Sequence, residues 1–230
     1  MSGNKDFQLP KYAVDALSGI VQYEWRGLTF GVPLAADVDY IVNEFEPVAD
    51  NTWRDTTLLN SGLPDVYRNL TVTVTDANSS ISVWVKVWGE DQFFNPQIEI
   101  LRVSAGESSV VGNAIWSSVT KIQYKASGTV DGGLDTVAVG IGDRLGLPVQ
   151  IGNDVAYDDV RRAVSDTAGA PVDELASANT VINKEWSWIE FVDNDPDGVK
   201  VYWVECSATE PADGGVLPVR PRSNLIVSTN

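Results

Sequence analysis

The run Asp193-Asn194-Asp195-Pro196-Asp197-Gly198 places carboxylates on alternate residues just before a glycine. That D-x-D-x-D-G spacing opens a calcium loop, in which hard oxygen ligands surround a cation at a tight turn. The full loop needs five further residues after Gly198 and then a glutamate. Val204 holds that slot, and Glu205 falls one residue late. The flanks, Trp186–Val192 and Val199–Ser207, have the composition of strands, where a calcium loop has helices. Two readings follow: a Ca2+ site on Asp193, Asp195 and Asp197, or a plain Asp/Gly hairpin turn with no cofactor.

Other reactive chemistry is sparse. The 230 residues contain no histidine, which excludes Ser-His-Asp and Cys-His catalysis and imidazole-ligated zinc. Carboxylate-pair hydrolysis needs only Asp and Glu and is not excluded that way. Yet neighbouring acids such as Asp158-Asp159 point in different directions on most backbones. The single cysteine, Cys206, lies in a strand-like stretch and reads as a buried apolar thiol. Gly140-Ile141-Gly142-Asp143-Arg144-Leu145-Gly146 has the wrong glycine spacing for a dinucleotide fingerprint, and Pro148 blocks the receiving helix. It reads as a turn between two strands. No catalytic, cofactor-binding or nucleotide-binding motif stands out, and the chain reads as non-enzymatic.

Binding chemistry is better represented, by eight tryptophans. Along 81–88 one face carries Ile81, Val83, Val85 and Val87, and the other Trp84, Lys86 and Trp88. Along 185–192 Ser187, Ile189 and Phe191 oppose Trp186, Trp188 and Val192. A strand with one face in water alternates apolar with polar. Apolarity on both faces calls for a second layer within the chain, a subunit interface, or a ligand such as a sugar stacked on Trp84, Trp88, Trp186 and Trp188.

The elements that position these residues read as strands. Asn69–Thr75 alternates Leu70, Val72 and Val74 with threonines, 76–80 is a polar turn, and 81–87 alternates again, which predicts a hairpin. Further strands are predicted at 97–104, 109–111, 119–126, 136–141, 147–151, 185–192 and 199–207, with others at 20–26 and 40–46. Short helices are predicted at 12–17 and 157–164. The fold class is all-β: a β-sandwich or jelly-roll-like barrel. The domain spans 20–209, with a subdivision near 150–180. Residues 1–19 and 210–230 form extended arms, and Arg220 and Arg222 suit the second to an acidic neighbouring subunit.

Net charge is −16. Such a field repels nucleic acid and anionic membranes and favours basic partners. No apolar run approaches the ~20 residues that span a bilayer. No apolar leader is visible at the start, and one cysteine makes no disulfide within a chain; the expectation is a chain made in a cytoplasm or one whose leader has been removed.

From 71 to 151 the chain resembles accessory virion proteins of tailed bacteriophages. The shared pieces are a Thr/Val strand, the turn Gly89-Glu90-Asp91-Gln92-Phe93-Phe94-Asn95-Pro96, the Trp116–Thr120 strand and Gly140-Ile141-Gly142-Asp143-Arg144-Leu145-Gly146-Leu147-Pro148. Pro196-Asp197-Gly198 leading into a strand is also similar. The resemblance implies a capsid decoration or cement protein in the virion, assembled in the host cytoplasm. It would act as a homo-oligomer, with a trimer expected, on the major capsid protein or other virion proteins. A tail- or fibre-associated component and a carbohydrate-binding module on exposed tryptophans are the alternatives.

Overall fold

Alternation of apolar and polar residues governs the central strands, and burial follows it. In the computed structural model residues 11–14, 21–24, 28–147, 160–165, 171–172, 180–183, 185–192, 195–210 and 225–229 are described. The strands are β1 (Lys11–Val14), β2 (Val21–Glu24), β3 (Leu28–Gly31), β4 (Asp37–Phe45), β5 (Arg54–Asp55), β6 (Arg68–Thr75), β7 (Ser82–Glu90), β8 (Pro96–Val103) and β9 (Ser109–Trp116). They continue as β10 (Ser118–Ser127), β11 (Thr136–Gly146), β12 (Val160–Ser165), β13 (Pro171–Val172), β14 (Thr180–Asn183), β15 (Trp188–Phe191), β16 (Val201–Glu210) and β17 (Leu225–Thr229). One 3-10 turn, Asn60–Gly62, is the sole helical element among the described residues. The protein is all-β, as its composition predicts.

Two sheets share one core. The first runs β14-β15-β11-β6-β9, with β4 also on β11, and the second runs β17-β8-β7-β10-β5. Leu70, Val72 and Val74 of β6 meet Val83, Val85 and Val87 of β7 in a single buried cluster. Burying each such side chain stabilises the fold by about 1.5–3 kcal/mol, which is why the alternation decides which way each strand faces. A third sheet runs β1-β2-β16-β12-β13, with β3 also on β16.

The hairpin predicted from 69–75 and 81–87 does not form. β6 pairs with β11 and β9, whereas β7 pairs with β8 and β10. The 76–80 turn carries the chain from one sheet to the other. Asp76 fixes it by accepting hydrogen bonds from the Ile81 amide at 2.9 Å and the Asn78 amide at 3.2 Å. The chain crosses between sheets again at Ser117, so the Trp116–Thr120 stretch is the end of β9 and the start of β10 instead of one strand. β7 and β8 do form a hairpin, with Glu90 opposite Pro96. Its turn is held by Asp91, which accepts from the Phe93 and Asn95 amides, both at 2.8 Å.

Three more expectations are corrected. The glycine run 140–146 is the second half of β11, where the register shifts between Ile141 and Leu145. The helices predicted at 12–17 and 157–164 give way, where described, to β1 and β12, because both segments find strand partners: β1 lies on β2 and β12 on β16. The predicted strand at 185–192 begins later, since 185–187 is a turn.

Of the predicted arms, 11–14 forms β1, and β17 pairs in parallel with β8 of the same chain, Leu225 opposite Ile98. Residues 1–10, 15–20 and 211–224 and most of 148–180 lie outside the described residues, and so does the predicted strand at 147–151 beyond Leu147.

Candidate functional site

The outward face of the β8-β7-β10 sheet is a grid built by strand register. Trp84 stands opposite Arg102 of β8 on one side and Lys125 of β10 on the other. Lys86 stands opposite Ile100 and Gln123, and Trp88 opposite Ile98 and Lys121. These side chains alternate with the buried Val83, Val85 and Val87, so the strand pleat turns them away from the core.

Cations lie over the aromatic rings. The Lys125 ammonium is 4.6 Å from the centre of the Trp84 ring, and the Arg102 guanidinium carbon 5.4 Å. Lys86 is 4.7 Å and Lys121 5.5 Å from the Trp88 ring. Lys125 also reaches Trp53, at 5.5 Å. Each contact contributes about 0.5–1 kcal/mol at an exposed site. Trp84 and Trp88 are consequently half-buried, covered by the cations of their own sheet. A sugar ring would have to displace Lys125 or Arg102 to stack on Trp84.

Besides Glu90 of β7 itself, this face holds a carboxylate brought by another strand. Asp55 of β5 pairs with the Lys121 ammonium at 3.0 Å and accepts from the Gln123 amide nitrogen at 2.8 Å. The hydrogen bond from Lys121, followed by that from Gln123, holds Asp55 below the usual carboxylate range. Among the described residues, the ion pairs do not include Lys86, Arg102 or Lys125.

The second tryptophan pair lies elsewhere. Trp188 is buried within the chain and Trp186 packs partly buried against the core. Arg144 covers Trp188, its guanidinium carbon 4.5 Å from the ring centre. The same guanidinium pairs with Glu190 at 3.1 Å and donates to the Gly112 carbonyl and the Asn113 side chain, both at 2.9 Å. Trp186 and Trp188 therefore do not join Trp84 and Trp88 in one platform.

The glycines of β11 are steric requirements. A Cβ on Gly140 would overlap the Asp37 carbonyl of β4, and one on Gly142 would meet the Asn69 side chain at 2.5 Å. Between them and Gly146, Asp143 and Arg144 are carried to one end of the sandwich. There Arg68, fully buried, donates to the Gly142 carbonyl at 2.7 Å, the Leu34 carbonyl at 3.0 Å and Asp65 at 3.0 Å. Asp143 sits 3.9 Å from the same guanidinium. Burial, and then the charge of Asp195, hold the Asp143 carboxyl above its ordinary value, against the pull of Arg68.

The two motifs read separately in the sequence thus meet, since Asp143 lies within the field of Asp195. Asp193 lies outside the described residues. The Asp197 carboxylate accepts from the Val199 amide at 2.9 Å and the Lys200 amide at 2.8 Å, and pairs with the Lys200 ammonium at 3.2 Å. Burial opposes its ionisation, but these bonds win and hold its pKa low. Its oxygens serve the turn, but the turn does not close the predicted hairpin: β15 pairs with β11 and β14, whereas β16 pairs with β2, β3 and β12. Among the described residues no three acids, cysteines or histidines are grouped to hold a metal. The Tyr202 hydroxyl donates to the Asp195 carbonyl at 2.6 Å, and burial followed by the charge of Asp197 pushes its pKa up.

Sequence reasoning placed Trp84, Lys86 and Trp88 on one face. It missed Arg102, Lys121 and Lys125, because only strand pairing brings them alongside. No protein-family model matches the chain, and no curated protein and no solved structure is significantly similar to it.

Proposed function

We propose that the chain is a non-enzymatic structural protein of a virus particle, a capsid decoration or cement component that binds the shell through its outward sheet face. The observation that carries the reading is the cation-covered tryptophan face on a chain of net charge −16. Aromatic and arginine side chains on a rigid sheet are the residue types that dominate protein interfaces. The resemblance of 71–151 to tailed-phage virion proteins supplies the kind of assembly. The use of Gly140, Gly142 and Arg144 in close packing and internal hydrogen bonds supports reading that segment as scaffold. The flanking of Trp84 by two cations disfavours the carbohydrate-module alternative.

Mixing the protein with shells that lack it tests the reading. Saturable, stoichiometric binding and a raised shell-disruption temperature are expected. Absence of the protein from purified particles, or tryptophan fluorescence that responds to glycans and not to shells, would sink it.

A further inference from the structure

The tryptophan face carries Lys86, Arg102, Lys121 and Lys125, four of the 16 lysines and arginines of a chain with 32 acids. Across three adjacent strands the register puts three of them within one residue row of Trp84 or Lys86. Two carboxylates lie on this face: Glu90, the next outward residue of β7 after Trp88, and Asp55, which comes from an extended strand at the sheet edge and docks on Lys121 and Gln123. That contact shows the form of ligand the face accepts: a carboxylate presented by extended backbone.

The same chain presents such a strand on its other sheet. β4 joins β11 through a register broken twice, between Val137 and Val139 and between Val139 and Ile141. It carries Asp37, Asp39 and the exposed Glu44, with exposed Glu46 just beyond. A hydrogen bond shared with the Asp37 carboxyl, followed by burial and the charge of Asp37, holds Asp39 above its ordinary value. Like charges are crowded there, and a facing cation would relieve them. Residues two apart on a strand are about 6.8 Å apart. The Asp37–Asp39 step therefore matches the step from one row of the grid to the next.

Within one molecule the two cannot meet. The cationic grid faces away from the core on one sheet, and β4 belongs to the sheet on the far side of that core. We infer that the tryptophan–cation face of one copy docks the acidic β4 strand of a second copy. The contact is heterologous: each molecule offers one face and one strand, so association continues head to tail unless the rotation closes a ring. The inference rests on the reading of this face as an interaction surface and names its first occupant. Because the complementarity is ionic, the contact weakens as salt shortens the screening length from ~10 Å at 0.1 M to ~3 Å at 1 M.

A charge-swap experiment on the full chain tests it, read by sedimentation and native mass. Lys121→Glu with Lys125→Glu reverses the face. Asp39→Lys with Glu44→Lys reverses the strand. Wild type is expected to associate at low salt and to dissociate at least tenfold more readily at 1 M. Each double variant alone is expected to be monomeric, with circular dichroism confirming its strands, and an equimolar mixture of the two to associate again.

A wild type that stays monomeric at low salt overturns the inference, and so does a mixture that fails to recover. Low-salt capture of a sulfated polysaccharide by monomeric wild type would assign the face to a glycan polyanion instead. Shell binding by a protein that never self-associates overturns this inference and leaves the proposed function standing. Self-association without shell binding does the reverse.

Discussion

Arg144 lies over Trp188 with its guanidinium carbon 4.5 Å from the ring centre, and the pair closes the outer side of the β15-β11 contact. One arginine thereby buries a tryptophan that the sequence offers as an exposed platform. Arg144→Ala removes the cover, the Glu190 ion pair and the bonds to Gly112 and Asn113 together. The expected loss is about 2–4 kcal/mol of stability, with Trp188 emission shifted to the red. Arg144→Lys keeps the charge but not the planar fork, and should fall between. Urea unfolding followed by fluorescence measures both. An unchanged midpoint in Arg144→Ala would show that Trp188 is held by other contacts.

Gly140 tests whether the glycines of β11 serve close approach or flexibility. Gly140→Ala drives a methyl into the Asp37 carbonyl and should cost on the order of 3 kcal/mol, since backbone cannot swing aside as a side-chain tip can. Gly132 is the control: a Cβ there meets only the Glu46 carboxylate, at an ordinary 3.5 Å. Gly132→Ala should leave the thermal midpoint nearly unchanged. Equal effects at the two positions would contradict the steric account.

The same glycines show where sequence reasoning stops. Period-two alternation in 69–75 and 81–88 gives strand type and facing correctly, because burial at every second residue is a local property. It cannot give the partner. A hairpin and a crossing between facing sheets impose the same alternation, and the polar 76–80 turn suits either. In the same way a glycine reads locally as a turn, whereas Gly140 answers to a carbonyl about a hundred residues away on β4. At 157–164 local composition suggests a helix, but pairing of β12 with β16 overrides it. Trp84 was legible as an outward residue; its two cations, on different strands, were not.

Asp135 tests the crossing turn. Fully buried, it accepts hydrogen bonds from the Ala77 amide at 2.9 Å and the Asp131 amide at 2.6 Å. It ties the β6–β7 connection to the loop that precedes β11. Asp135→Ala strands both amides and should cost about 3 kcal/mol. Asp135→Asn retains an acceptor and should cost less. Hydrogen exchange at the Ala77 and Asp131 amides gives a local readout. Protection unchanged in Asp135→Ala would rule out the tie.

Asp143 makes stability depend on pH in a direction opposite to that of a salt-bridged acid. Burial, then Asp195, with a smaller push from Glu190, hold its carboxyl above the ordinary value against Arg68. The folded protein therefore binds this proton more tightly than the unfolded chain, whose value is about 3.9. The stability gained that way is complete below that pH and is lost as pH rises through the folded-state value. Above the folded-state value the carboxylate is ionised and bears its burial cost. Asp143→Asn removes the titration, while Asp65, 3.0 Å from Arg68, keeps that arginine paired. The variant should exceed wild type in stability at pH 7, and the gap should shrink as pH falls towards 4. Comparing the two proteins pH by pH cancels every other titrating acid. A gap that widens on acidification would mean that attraction to Arg68 outweighs burial at this site.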